Sequence, residues 1–480
     1  MHLRAQWPSD TRAAIHERAT EPNHQRHRGI GMHRFIVVGG GAGGLELATR
    51  LGDRYGARKN GGEPRALVTL VDRYPTHIWK PLLHEVAAGS LDPFTQELEY
   101  AAQARWHGFE FQQGDLVGID RGAKRIAIAP VIDSDGAELL PQRMLEYDTL
   151  VIAIGSTTHF FGVQGAAEHS IALDTVAQAE RFRKRLIAAC MRAEHQPHAT
   201  VESGLGPSAE AEARVQVAIV GGGATGVELS AELRNTAQVL SAYGLHKLDP
   251  RHDIGIVLIE AGPRILPALQ ERVSSATAEL LRKLGVKLMI GETVAEVAPG
   301  VVRTASGKSV RADLTVWAAG IKAPAVLGQL DGLTVNRLGQ LCVRRTLQTE
   351  LDENIFALGD CAACPWPGQE RNVPPRAQAA HQQASFLLRA MSNRLEGKAL
   401  PEFTYRDFGS LVSLGHFSAV GNLMGGLIGG SMLVEGLFAR FMYMSLYRLH
   451  IAALHGYPRM MLDTVAHWLR RTTLPRVKLH

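Results

Sequence analysis

A chain of 480 residues is too long for one hydrophobic core, so two or three domains are expected. With 45% apolar and 21% charged residues it is globular, not disordered or fibrous, and its 4 cysteines are too few for a disulfide scaffold, which points to a reducing compartment. The formal net charge of +5 is equalled by Val434–His480 alone, and no RNP, helix-turn-helix or zinc-finger pattern accompanies it, so an anionic membrane is favoured over nucleic acid as the partner.

Residues 1–31 read as a tail outside the fold. Arg4, Arg12, Arg18, Arg26 and Arg28 lie among polar residues with no apolar run, which excludes a secretory signal. Asp10, Glu17 and Glu21 argue against a transit peptide, and Met32 is a candidate start just before the first strand.

Phe35–Val38 is a short β-branched run suited to a buried parallel strand. It enters Gly39-Gly-Gly41-Ala-Gly-Gly44 and then a helically spaced segment from Leu45. In this strand, GxGxxG, helix unit Gly39 allows the turn, Gly41 lets backbone amides approach a pyrophosphate, and Gly44 lets helix and strand lie close. The helix N-terminus then faces the phosphates with partial positive charge. The next strand, Ala66–Val71, ends in Asp72, placed to accept ribose hydroxyls, and Arg58–Pro64 before it reads as a surface insertion.

The unit recurs 182 residues later. Val217–Val220 leads into Gly221-Gly-Gly223-Ala-Thr-Gly226, Glu228 stands where Glu46 stands in the first copy, and the following strand Ile254–Ile259 ends in Glu260. Two dinucleotide sites are expected. An acid at the second ribose position repels a 2′-phosphate, favouring NAD(H) over NADP(H), although nearby Arg264 weakens that preference.

Three further segments resemble the flavoprotein disulfide reductase superfamily: Thr149–Gly155, Thr315–Gly320 and Glu353–Asp360. The first two look like strands and glycine turns passing between two dinucleotide domains, with Gly155, Ala319 and Gly320 at the turns. Asp360 matches the aspartate that touches the ribityl–phosphate region of FAD. The resemblance implies an FAD domain made of two chain segments with an NADH domain inserted. Trp79–Val86, where disulfide reductases carry a cysteine pair, has none, and the early cysteines of sulfide:quinone oxidoreductases are also missing. Cys361-Ala-Ala-Cys364 reads as small residues packed beneath the flavin; a thiol activated by a helix start, in redox or copper chemistry, is the alternative. No metal site is expected.

Arg376-Ala-Gln-Ala-Ala-His-Gln-Gln-Ala384 resembles the AQxAxQ quinone motif of type II NADH dehydrogenases, the single-subunit, non-proton-pumping respiratory NADH:quinone oxidoreductases. Gly221–Leu233, Val316–Pro324, Gly409–Leu414 and Pro475–His480 resemble the bacterial members too, so the likeness runs from about Met32 to His480. It implies that Ala377 and Gln378 lie beside the isoalloxazine, His381 near the quinone, and Glu228 near flavin and nicotinamide with a role in proton delivery. Lys80, next to Pro81, is placed close to the flavin to stabilise negative charge on it. It also implies FAD as cofactor, NADH as co-substrate, and a membrane quinone, ubiquinone favoured over menaquinone, at the cytoplasmic face of the bacterial inner membrane.

Leu411–Val434 is uncharged, but glycines at 415, 421, 425, 426, 429 and 430 make a small antiparallel sheet the better reading than a membrane span. Arg459–Arg471 is amphipathic, with Met461, Leu462, Val465, Trp468 and Leu469 within an arc of ~120°. Arg459, Asp463, His467, Arg470 and Arg471 take the other side, the pattern of an interfacial helix. Leu437–Tyr457 is expected to be a second helix in the same surface or a homodimer contact.

The expected fold is therefore α/β, two Rossmann-like domains plus a C-terminal membrane-associating module. The segments are a tail (1–31), FAD domain (32–165), NADH domain (166–314), FAD domain again (315–405) and a sheet with anchoring helices (406–480). A soluble NADH-dependent flavoprotein reductase serving a protein or disulfide acceptor is the enzymatic alternative, and an NADH-sensing interaction protein the non-enzymatic one.

Overall fold

The computed structural model describes residues 31–57, 63–195, 213–242, 247–414, 418–425 and 430–470. The expectations for 1–30, for most of the Arg58–Pro64 insertion and for 471–480 fall outside the described residues.

Runs of Val, Ile, Leu and Phe too short for helices build two five-stranded parallel sheets. The first has the order Ile355–Ala357, Thr149–Ile152, His33–Val38, Ala66–Asp72, Glu110–Gln113. Its central residues Phe35, Val37, Leu70, Val71 and Leu150 are fully buried, as a parallel sheet covered on both faces requires. The second repeats the order with Ile171–Ala172, Leu314–Trp317, Val215–Val220, Ile254–Glu260, Val286–Ile290. The repeated motif is thus the visible part of a repeated sheet.

The correspondence extends further. Each sheet carries an antiparallel three-stranded appendage, one over residues 116–146 and the other over 294–311, and each appendage has a register shift in its first strand. The first sheet receives its outer strand, Ile355–Ala357, only after the second sheet is complete. One boundary moves: Thr315–Trp317, read as returning FAD-domain residues, pair inside the second sheet, whose strand starts at Leu314.

Gly409–Leu414, Ser418–Gly425 and Gly430–Glu435 form an antiparallel sheet, followed by helices Gly436–His455 and Tyr457–Arg470. No helix among the described residues is long and apolar enough to cross a membrane.

Helix and strand touch backbone to backbone at the glycine turns. Gly39 and Gly221 have φ of +104° and +112°, which other residues adopt only with strain. A Cβ on Gly44 would strike the Gly39 carbonyl oxygen, and one on Gly226 the Gly221 carbonyl oxygen. A Cβ on Gly41 meets nothing within 4 Å. Gly44→Val is therefore expected to destabilise the ligand-free protein by on the order of 1–3 kcal/mol, whereas Gly41→Ala leaves its thermal midpoint nearly unchanged. Circular-dichroism melts of the two variants check this.

Candidate functional site

The two turns are closed in the same way. Asp72 Oδ2 accepts the Gly40 amide at 2.6 Å and its Oδ1 accepts the Tyr74 amide at 2.9 Å. Glu260 Oε2 accepts the Gly222 amide at 2.6 Å and its Oε1 accepts the Gly262 amide at 2.6 Å. Each strand-end acid thus braces its own glycine loop. Burial pushes the Asp72 carboxyl above its ordinary pKa, against the pull of the two amides. Arg264 is tied to the carbonyls of Leu266, Pro267 and Leu269, so its guanidinium is committed locally.

A cleft of about 1990 Å³ joins the two halves, well above the ~300–1,000 Å³ of an ordinary small-molecule pocket. Gly39, Gly41, Asp72, Lys80, Gly155 and Asp360 line one part of it. Gly223, Glu228, Gly320, Ala377, Gln378 and His381 line the rest. Gly44, Gly221, Gly226, Glu260 and Ala319 are not in its wall; they lie in or behind the turns that shape it. Twelve of the seventeen predicted site residues are thus brought to one space.

Lys80 Nζ donates to the Ser156 carbonyl at 3.2 Å, while Ser156 Oγ donates to Asp360 Oδ2 at 2.7 Å. Burial raises the Asp360 pKa, partly offset by Ser156 and Lys80. Glu228 Oε1 accepts the Ser413 amide at 3.0 Å, and its Oε2 lies 3.6 Å from His84 Nδ1. Burial lowers the His84 pKa, against the pull of Glu232.

Gln378 does something its position in the motif did not announce. Its Nε2 donates to Asp407 Oδ1 and to the Gly409 carbonyl, each at 3.1 Å, and its Oε1 accepts the Phe408 amide at 3.3 Å. One helical turn on, Gln382 exchanges hydrogen bonds with both backbone groups of Arg406, at 2.8 and 3.0 Å. Gln383 accepts the Gly359 amide at 2.7 Å. Helix Ala377–Leu395 is thereby a strut between the Asp360 turn and the chain entering the C-terminal sheet.

His381 bonds Glu46 through Nδ1, and Arg50 holds the other Glu46 oxygen at 2.7 Å. Trp79 and His450 pack beside this imidazole, with ring centroids at 5.8 and 5.3 Å. His450 Nε2 meets His77 Nε2 at 3.0 Å, and His77 Nδ1 donates to the Gly40 carbonyl at 2.8 Å. A helix near the end of the chain is thereby linked to the first glycine loop.

At the CxxC the activated-thiol alternative is disfavoured. The alternative reading had a helix start lower a thiol pKa, but Gly359–Cys361 is a single 3₁₀ turn and both thiols are buried and free. Burial pushes Cys361 and Cys364 up to about 12, the direction of an inert packing thiol. Among the described residues no group of three or more His, Cys, Asp and Glu is arranged to hold a metal. Glu46, Arg50, His84, Gln382, Gln383 and His450 were not singled out from sequence; the equivalence of Glu46 with Glu228, and the helical spacing of the three glutamines, were the signals available.

Known proteins with the same arrangement follow from the sequence and from the fold. The family description of pyridine nucleotide-disulphide oxidoreductases matches residues 33–384. A type II NADH:quinone oxidoreductase of Haemophilus influenzae is 44% identical over 451 residues, 94% of this chain and 100% of that one. The chain belongs to the type II NADH:quinone oxidoreductase family. A Staphylococcus aureus member is 26% identical over 83% of this chain and 91% of its own. Among solved structures, NDH2 from Plasmodium falciparum in complex with NADH superposes with a TM-score of 0.73 at 18% identity, over 93% of this chain and 99% of that chain. The sulfide:quinone oxidoreductase of Aquifex aeolicus gives 0.65 at 19% identity, over 88% of this chain and 92% of that chain.

This family member carries an acid-sensitive link at its first glycine loop. Burial lowers His77 from 6.5 to about 4 and holds His450 well below its ordinary value. The unfolded chain therefore takes up protons first. The stability contributed by the neutral pair is whole above pH 6.5 and is lost as the pH falls towards about 4. The thermal midpoint is expected to fall more steeply across this window in the wild type than in His77→Gln; parallel profiles would contradict the assignment.

Proposed function

We propose that the chain is an FAD-dependent NADH:quinone oxidoreductase of the respiratory chain. The reaction is NADH + quinone + H⁺ → NAD⁺ + quinol, without proton pumping, at a membrane surface. The observation that carries this reading is one cleft lined by both glycine loops together with the AQAAHQ helix, in a chain of this family.

The residues fit an adenine dinucleotide at the first loop. Gly41 leaves open space where a side chain would stand, the N-terminus of helix Ala42–Tyr55 points into it, and the carboxyls of Asp72 and Asp360 lie in the wall. FAD held there, when bound, accepts a hydride from nicotinamide and passes two electrons to quinone. Gly223 offers the same open position at the second loop for NADH. Glu260 stands where a 2′-phosphate would have to approach, and the local engagement of Arg264 supports NADH over NADPH. Lys80 brings positive charge to the Ser156–Asp360 turn. Gln378 and Gln382 fix the Arg406–Gly409 chain along the cleft, which shapes the pocket for a flat ring. Glu228, braced by Ser413 and 3.6 Å from His84, is a carboxyl group available for proton exchange between the two substrates.

The last helix supports membrane attachment. Met461, Leu462, Val465 and Leu469 are 58%, 72%, 53% and 57% exposed. On its polar side the exposed Asp463 pairs with Arg448 at 3.2 Å, and the exposed Arg459 sits over the Trp106 ring at 5.6 Å. A helix that leaves four apolar side chains exposed beside a charged face is suited to lie in a lipid interface, here the cytoplasmic face of the inner membrane. The side chain of Trp468 falls outside the described residues.

Purified protein is expected to be yellow, to bleach on adding NADH, and to recover colour on adding short-chain ubiquinone faster than on adding a menaquinone analogue. A colourless protein, or colour indifferent to NADH, contradicts the reading. Leu462→Glu removes about 1.5–3 kcal/mol of apolar burial and is expected to weaken binding to anionic vesicles at least about tenfold, leaving turnover with soluble acceptors. Flotation assays measure this; unchanged flotation would remove the last helix from the anchor.

A further inference from the structure

The two glycine helices carry carboxylates at equivalent positions, Glu46 and Glu228, exposed by 1% and 7%, and both reach the same cleft. A histidine faces each: His381 against Glu46, His84 against Glu228. The pairs differ in access. The His84 side chain is 3% exposed, whereas that of His381 is 26% exposed. His381 spends Nδ1 on Glu46, so Nε2 is the edge left to the cleft.

We propose that His381, with Glu46 and Arg50 behind it, is the port through which a proton from water reaches the quinone. This rests on the quinone reading above. NADH supplies the electron pair and one hydrogen of the quinol; the second hydrogen is the His381 Nε2 proton, which bonds to a quinone oxygen as the electrons arrive. The imidazole then takes a replacement proton from water, and the sum is NADH + quinone + H⁺ → NAD⁺ + quinol.

Charge favours this side of the cleft. Glu46 is balanced by Arg50 at 2.7 Å, and Arg50 also donates to Ser385 Oγ at 2.7 Å. His381 can therefore lose its proton without leaving a buried carboxylate unpaired. The other elements packed around the ring contribute Trp79 and His450, with His77 beyond His450. Burial lowers the pKa of both imidazoles, and a charge on His381 lowers them further, so neither draws a proton away from it. Phe408 and Leu449, 55% and 53% exposed, line the same cleft and give an apolar ring a route in.

Glu46 is a positioning residue in this scheme, and the test separates proton supply from structure. Flavin-loaded His381→Gln, Glu46→Gln and Glu46→Asp are assayed with short-chain ubiquinone and with ferricyanide, which accepts electrons without protons. In His381→Gln the quinone kcat is expected to fall at least about tenfold more than the ferricyanide kcat, within the ~10²–10⁴-fold range of general acid catalysis. A solvent deuterium isotope effect should appear on the quinone rate alone, and Glu46→Asp should recover part of what Glu46→Gln loses. Equal loss with both acceptors, or a quinone rate and pH profile unchanged in His381→Gln, overturns the proposal. His381 is partly exposed, so its variant carries the test even where a Glu46 variant fails to fold. A wild-type protein that bleaches with NADH yet reduces no quinone would instead overturn the quinone reading.

Discussion

The close contact of helix and strand at Gly39–Gly44 and Gly221–Gly226 is the constraint on which the cleft depends. Because no Cβ separates the two backbones, each helix begins packed directly on its own glycine turn. The acid ending the next strand then reaches the middle glycine, 2.6 Å away in both copies. Asp72 and Glu260 are consequently fixed by the loops they brace. In the proposed reading, a carboxylate preset for a ribose loses little side-chain freedom on binding.

A second layer of constraint couples the C-terminal part to this core. Gln378 and Gln382 grip residues 406–409 on one side of helix Ala377–Leu395, and Gln383 grips Gly359 on another. His450 reaches the Gly40 carbonyl through His77, and Tyr100 donates to the same oxygen at 2.8 Å. Helix Gly436–His455, which precedes the helix proposed to face lipid, and the loop proposed to hold FAD thus share a hydrogen-bond path.

The sequence made the glycine turns legible because positive φ and close approach admit few residue types, and the acids legible because they end short apolar strands. The small sheet over 409–435 was legible for a similar reason, since glycines interrupt its apolar run. What escaped was non-local or concerned burial. Thr315–Trp317 looked like a return to the first domain because a strand and its glycine turn read as one unit, whereas Val217 and Ala218 already claim that strand as a neighbour. The alternative of an activated Cys361 thiol rested on a helix start; one 3₁₀ turn with a buried sulfur reverses that sign. Glu46 and His381 stand 335 residues apart, and no local spacing could bring them together.

The central claim is that one chain holds two different dinucleotides, each at its own glycine loop. Counting them tests it directly: released flavin measured by absorbance, and NAD⁺ binding measured by calorimetry on the same flavin-loaded protein. The account predicts one FAD and one NAD⁺ per chain, with Gly41→Val abolishing the first and Gly223→Val the second. A single dinucleotide per chain, or NAD⁺ that binds only after flavin is removed, would contradict it.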